Sequence, residues 1–267
     1  MLLSEGSKQV RSLDDIDPVH VVGNIFHEVS DQVWIPIEVF GLDLSITKLT
    51  VFMWIAAAML FGVAFIVRNN LELVPKGRLA QALEAIVQFI RDDIVKPNLH
   101  DDWKRFMPLF ITFFFFVLIN NTIGMIPFFA NPTGSLSVTG MLASITFLTI
   151  IFGSIHKNGV GGFLKSFVPP GVPAFILPIL VVAEIIGLFT KSFALCIRLF
   201  ANMIAGHIVI LTLFGLIYIL KSWLLAPFSI AINLAMSILE VLIILIQTYV
   251  FTYLSAIFVG MSLNPDH

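Results

Sequence analysis

Ionisable and amide side chains recur at a fixed interval in an otherwise apolar part of the chain. Glu184, Lys191 and Arg198 are seven residues apart, and seven steps of ~100° return to nearly the same face of an α-helix. Asn202 lies one helical turn after Arg198. In a membrane each buried charge costs at least ~2.5–3.5 kcal/mol, so it persists where it pairs, meets water or has a function. The row predicts a helix face that handles ions.

A second row repeats the interval further along the chain. Asn233, Glu240 and Gln247 are again seven residues apart. Between the rows, His207 follows Arg198 by nine residues, about 180° around the same helix, so it points to a different neighbour. If the two rows form an antiparallel hairpin, His207 lies about level with Glu240. Because an imidazole and a carboxylate can each bind and release a proton, this pair predicts a proton relay.

Some of these residues also have a structural interpretation. Lys191 could pair with Glu184, although two helical turns are a long reach for an ion pair. Arg198 could extend its side chain to a lipid headgroup, but its position near the middle of its apolar run disfavours that. His207 alone could be a packing histidine, and the carboxylate of Glu240 on the neighbouring helix is what favours the relay.

The composition indicates what kind of protein carries these rows. Of the 267 residues, 58% are hydrophobic and only 12% are charged, which is far too apolar for an ordinary soluble domain and indicates a polytopic membrane protein. The formal net charge of −2 offers no basic field for a nucleic acid. The single cysteine, Cys196, excludes an internal disulfide and a cysteine-based metal site. We expect no metal and no cofactor.

Five apolar segments predict an all-α fold with about five membrane-crossing helices. The first three are about as long as a ~30 Å hydrocarbon core requires. The last two are about twice that length, so they predict a long tilted hairpin of two helices. The segments are 49–67, 106–129, 137–155, 172–220 and 223–263.

The charged segments predict the orientation of the chain. Residues 1–47 carry eight acidic residues against two basic ones and predict a polar extramembrane arm, with 48–267 as the membrane domain. Segment 68–105 carries seven basic residues, which favours the cytoplasmic side and places the N-terminus outside. Five crossings then place the C-terminus in the cytoplasm.

The basic segment also contains an apolar stripe at helical spacing, which predicts one interfacial amphipathic helix. A small soluble helix is the alternative. The stripe consists of Leu79, Leu83, Ile86, Val87, Ile90 and Ile94.

The first polar row lies in a motif that resembles a known family. "IRLFANMIAGH" (197–207) closely matches the pattern L-R-L-F-x-N-M-x-A-G-[EH] of the a subunit of F-type ATP synthase, the membrane stator beside the rotating c-ring. Further similar stretches are 73–95, 119–129 and 245–260. The resemblance extends from about residue 49 to 262 and does not cover the N-terminal arm.

The resemblance implies a proton-translocating stator in which two offset half-channels lead to the carboxylates of the c-ring. It assigns to Arg198 the charge that faces each passing carboxylate and prevents a short circuit, with Asn202 as its neighbour. Some members carry Glu on the arginine helix and His on the last helix, whereas here His207 and Glu240 exchange these types. Gly124 is another departure, since some relatives have an acid there.

The predicted proton path has two branches, one on each side of Arg198, which stays protonated and therefore does not relay the proton itself. Asn121 and Gln247 could equally serve only to join helices. The outward branch contains His207, Glu240, Gln247 and Asn121. The inward branch contains Glu184 and Ser192.

The resemblance further implies the partners: the c-ring, the b subunits, the rest of the synthase and the lipid bilayer, expected to be a bacterial plasma membrane. The sequence has no G-x-x-x-x-G-K-[ST] motif, so nucleotide chemistry is expected in partner subunits and the chain is not expected to be an enzyme by itself. One alternative is a stand-alone proton-coupled secondary transporter, but we find no paired repeat of the kind common in such proteins. Another alternative function is a structural module of a respiratory complex.

Overall fold

The computed structural model describes residues 33–36, 38–39, 42–43, 45–69, 77–126, 129–167, 175–220 and 226–264. Helices dominate these residues, which confirms the prediction of an all-α polytopic membrane protein. The long helices are α1 Lys48–Asn69, α2 Arg78–Phe89, α3 Trp103–Gly124, α4 Leu136–Ser166, α5 Leu177–Leu220 and α6 Ala226–Leu263. Shorter segments between them are the π-helical turn Ile90–Val95, the helix Lys96–Leu99 and the 3₁₀ turns His100–Asp102 and Pro132–Gly134.

Five helical stretches of the described chain are long and apolar enough to cross a membrane. Their number agrees with the five segments predicted from hydropathy, because apolar runs of this length are rare outside bilayers. They are Lys48–Phe65, Ala80–Gly124, Leu136–Leu164, Leu177–Ile210 and Ile230–Leu263.

Short strands precede α1 in a region for which the sequence predicted only a polar arm. β1 (Val33–Ile35) pairs antiparallel with β4 (Ile46–Thr47). Between them, β2 (Glu38–Val39) pairs with β3 (Leu42–Asp43). The part of the predicted arm that the structure describes is therefore two small hairpin ladders, whereas residues 1–32 lie outside the described residues.

The amphipathic segment is helical, and the protein itself covers much of its apolar stripe. Ile90 and Ile94 are fully buried in the hydrophobic core, and Leu83, Ile86 and Val87 pack against it. The helical path then breaks at His100, whose φ of 50° lies in a region that non-glycine residues rarely adopt. This break separates the amphipathic segment from the apolar helix α3.

Helix α4 is longer than the apolar segment 137–155 predicted from hydropathy. The structure continues α4 to Ser166 across a kink at Gly159, whose φ is 71°. Glycine has no Cβ and adopts this conformation without steric cost. The residues after Gly159 therefore form a second, short helical piece that leaves in a new direction.

The last two helices are as long as predicted. α5 has 44 residues and α6 has 38, which correspond to about 66 Å and 57 Å at ~1.5 Å per residue. Residues 221–225 between them lie outside the described chain. The end of α6 packs on the segment before α3, where Gly260 lies so close to the carbonyl oxygen of Asn98 that a Cβ would overlap it.

Candidate functional site

Arg198 lies on an exposed, low face of α5. Its side chain is exposed, and so are those of Ala194, Ala201 and Ala205 around it. Small residues leave the backbone accessible, so that another helix can approach closely. Within the described chain α5 thus presents a positive charge on a surface of methyl groups.

A hollow of about 310 Å³ opens beside Arg198, between α5 and α6. Lys191 shares this hollow, and its Nζ lies 5.9 Å from the ring centroid of Phe258. The ion pairs among the described residues do not include one between Lys191 and Glu184. The hollow therefore has two cationic side chains on its α5 wall and the apolar Leu254 and Phe258 on its α6 wall.

Asn202 and Gln247 form a direct bond between the two helices. Asn202 Nδ2 donates to Gln247 Oε1 at 2.8 Å. Gln247 is buried, and its Nε2 has no hydrogen-bond partner among the described residues. The predicted neighbour of Arg198 is thus tied to the second polar row, and both N–H donors of the Gln247 amide are unused within this part of the chain.

His207 and Glu240 face each other across the same pair of helices, as predicted from their positions in an antiparallel hairpin. His207 Nδ1 lies 3.8 Å from Glu240 Oε1, which is longer than a hydrogen bond. Neither Nδ1 nor either carboxylate oxygen has a hydrogen-bond partner among the described residues. With the Asn202–Gln247 bond, the pairing shows that residue numbers rise along α5 as they fall along α6, so the hairpin is antiparallel.

Gly206 is the residue of this site that sequence reasoning missed. A Cβ at position 206 would lie 2.9 Å from Glu240 Oε1, which is closer than real Cβ contacts. The absence of a side chain on α5 therefore makes room for the carboxylate of α6. The small pair Ala205 and Gly206 next to His207 was the available signal, but the sequence alone does not show which residue fills the space.

Asn121 lies in a different polar cluster, at the end of α3. Thr133 Oγ1 lies 2.6 Å from Asn121 Oδ1 and 2.8 Å from Asn131 Oδ1. No hydrogen bond among the described residues joins Asn121 to His207 or Glu240. The 3₁₀ turn that carries Thr133 packs against α5 as well as α3. Asn121 Nδ2 is buried and has no hydrogen-bond partner among the residues the structure describes.

The same cluster explains the departure at Gly124. A Cβ there would lie 2.6 Å from Asn131 Cγ, so a larger residue, including an acid, would displace the asparagine. The glycine is a packing requirement of this turn.

The two inward residues differ from each other. Glu184 is exposed on α5, whereas Ser192 is buried and its hydroxyl has no hydrogen-bond partner within the described part of the chain. The structure does not bring these two together with the outward residues. Among the described residues no group of three or more His, Cys, Asp or Glu side chains could hold a metal ion.

Comparisons with known proteins agree on one family. The family model described as "ATP synthase A chain" matches residues 50–260. The chain is 46% identical over 237 residues to "ATP synthase subunit a" of Chloroherpeton thalassium, covering 86% of this chain and 71% of the relative. It is 45% identical over 229 residues to the protein of the same name from Myxococcus xanthus, covering 85% and 75%. "ATP synthase subunit a 2" of Chlorobaculum tepidum is 39% identical over 271 residues, covering 97% and 75%.

Proposed function

Because this chain belongs to the ATP synthase A chain family, we propose that it is the stator that passes protons to and from the carboxylates of a rotating c-ring. It is a multi-pass membrane subunit of the F-type ATP synthase. In this proposal the chain binds no nucleotide and catalyses no reaction by itself. Its task is to control where protons enter and leave the rotor.

The exposed Arg198 is the observation that carries the proposal. A guanidinium on an alanine-lined helix face suits a passing helix that carries a carboxylate. Arginine keeps its charge when poorly hydrated, so Arg198 attracts the ionised rotor group and does not relay the proton itself. Protons cannot then run directly between the two half-channels.

The outward branch passes through the buried pairs between α5 and α6. His207 and Glu240 exchange the proton, and Gln247 and Asn202 guide it toward the rotor beside Arg198. The unpaired atoms of this set support the proposal, because buried polar atoms without partners are rare unless they serve a function. Asn121 belongs to the outer end of this branch.

The inward branch leads from the rotor past Ser192 to Glu184. Moving one charge through ~100 mV releases ~2.3 kcal/mol, so rotation must combine several protons for each ATP. That nucleotide chemistry belongs to partner subunits.

The orientation follows from the basic residues of segment 68–105. They place this segment and the C-terminus in the cytoplasm and the N-terminus outside a bacterial plasma membrane. The partners are the c-ring, the b subunits and the remaining synthase subunits.

Replacement of Arg198 tests the proposal. In inverted vesicles that contain the assembled complex, Arg198→Ala should abolish ATP-driven proton uptake. Arg198→Lys should be nearly as damaging, because an ammonium lacks the planar fork of the guanidinium. Lys191→Gln is the matched control: it removes the other cation of the same hollow and should keep most of the uptake. Normal uptake by Arg198→Ala would refute the assignment.

The composition of the purified complex separates the proposal from a stand-alone transporter. Extracted in mild detergent, the chain should migrate with a ring of small carboxylate-bearing subunits. A solitary chain that binds a small substrate would favour the transporter.

A further inference from the structure

A second hollow lies away from the polar rows, between the start of α3 and the second half of the first piece of α4. Its volume is about 550 Å³. Arg105 and Phe106 form its α3 wall, and the α4 wall extends from Ile145 to His156. None of its lining residues belongs to the proton path described above.

The hollow combines a cationic end with an apolar wall. Arg105 and His156 lie at the end where α3 begins, and both side chains are exposed. The wall beyond them contains Leu148, which is 46% exposed, and Phe152, which is 65% exposed. These apolar side chains face outward from the described chain, as they do where a membrane protein meets acyl chains.

Arg105 differs from Lys157, the other basic residue near this end of α4, in having no acidic partner among the described residues. Lys157 is paired with Asp102 at 2.7 Å, a contact that holds the two helix ends together. Arg105 instead lies 5.9 Å from the ring centroid of Phe106, and none of the ion pairs among the described residues includes it. Its charge is therefore available to an external anion.

The dimensions of the α4 wall fit one leaflet of a bilayer. From Ile145 to His156 the helix rises ~16 Å at ~1.5 Å per residue, about half of a ~30 Å hydrocarbon core. Basic pockets between membrane helices at the cytoplasmic side bind the headgroups of anionic lipids. A lipid with its phosphate at Arg105 and an acyl chain along Phe152 and Leu148 matches this hollow in both charge and length.

We propose that Arg105, His156 and the α4 wall from Ile145 to Phe152 form a binding site for one anionic phospholipid of the leaflet that contains the start of α3. The guanidinium and imidazole contact the phosphate, and the apolar wall receives an acyl chain. The proposal goes beyond proton transfer and does not depend on it.

The test uses the assembled complex in vesicles of phosphatidylcholine and phosphatidylglycerol at a ratio of four to one. Leu148 is replaced by photoreactive p-benzoylphenylalanine, and the cross-linked products are identified by mass spectrometry. The ratio of cross-linked phosphatidylglycerol to cross-linked phosphatidylcholine should exceed the ratio in the bilayer about fivefold, which equals about 1 kcal/mol, the usual contribution of one basic residue near an anionic surface.

Variants that remove or keep single charges then test which residues cause the preference for phosphatidylglycerol. Arg105→Gln combined with His156→Gln should remove the enrichment, and Arg105→Lys should retain most of it. Lys104→Gln removes a cation from the adjacent position that does not line the hollow, and it should change nothing. If the double variant fails to assemble, Arg105→Gln alone must lower the enrichment. Labelling of the two lipids in the four-to-one proportion of the bilayer, an enrichment that survives Arg105→Gln, or cross-linking to another polypeptide in place of lipid would overturn the proposal.

Discussion

Helix α6 changes character at a boundary between Gln247 and Thr248. The N-terminal half before this boundary and the C-terminal half after it both bury polar side chains, but they satisfy the hydrogen bonds of these side chains differently. In the C-terminal half Thr248 and Thr252 donate to the carbonyl oxygens of Ile244 at 2.8 Å and of Thr248 at 2.9 Å. In the N-terminal half, the buried side chains of Asn233 and Glu240 have no hydrogen-bond partner, for any of their nitrogen or oxygen atoms, among the residues that the structure describes.

The difference follows from the chemistry of the side chains and from their surroundings. A threonine hydroxyl reaches the carbonyl one turn back in its own helix, so it can be buried without help from outside. The C-terminal half also contributes Phe251, Ala256 and Val259 to the apolar core. Amides and carboxylates must find partners across an interface, and leaving them unpaired costs stability. Their retention in one half of a helix supports the proposal that this half carries the proton path.

Among the contacts between α5 and α6, loss of the His207–Glu240 pair should have the largest effect on proton uptake. We expect His207→Ala and Glu240→Ala each to lower ATP-driven proton uptake about tenfold or more, since a positioned proton-transfer group contributes at least that much. Neither should open a leak, because Arg198 remains. The double variant should be little worse than the worse single one, because the groups act as a unit. If the two single defects multiply in the double variant, the residues act independently and the relay is wrong.

A smaller effect should come from filling the space beside the carboxylate. Gly206→Ala places a Cβ 2.9 Å from Glu240 Oε1 and should displace that group, lowering the rate of proton uptake about severalfold, because small misplacements of reacting groups are costly. Gly140→Ala is the control, since its Cβ would make an ordinary contact 3.9 Å from Cys196 Sγ. Equal rates in the two variants, at equal complex content, would contradict this role for Gly206.

The smallest effects should come from two adjacent residues on either side of the boundary. Gln247→Leu removes the bond to Asn202 and should slow proton uptake a few-fold, by roughly the worth of one buried hydrogen bond. Thr248→Val removes a hydroxyl that bonds only within its helix and should leave the uptake rate unchanged. The rates of proton uptake of the two variants are measured side by side. A lower rate in Thr248→Val than in Gln247→Leu would contradict the proposed boundary.

Much of this arrangement could be predicted from periodicity. Hydropathy predicted five membrane-crossing helices because bilayer thickness sets their length. Spacing by seven predicted two polar rows because helix geometry is regular, and the antiparallel hairpin then brought His207 opposite Glu240. These features depend on local sequence and on one external dimension.

Features that depend on contacts between distant residues could not be predicted in this way. The room that Gly206 provides is defined by a side chain on another helix. The continuation of α4 past Gly159 depends on a backbone angle that the local composition of glycine and lysine does not specify. The strand pairing of Val33 with Thr47 likewise joins residues that hydropathy treats as an uninterrupted polar arm.

The most direct test of the account is the reactivity of single cysteines along α6. The one native thiol, Cys196, is buried and is first replaced by alanine. Asn233→Cys and Gln247→Cys, compared with Thr248→Cys and Thr252→Cys, are then treated in the assembled complex with a small water-soluble thiol reagent, and ATP-driven proton uptake is measured. We expect the reagent to block proton uptake in the Asn233→Cys and Gln247→Cys variants and to leave it unchanged in the two threonine variants. Equal inhibition of all four, or inhibition of the threonine positions alone, would contradict it.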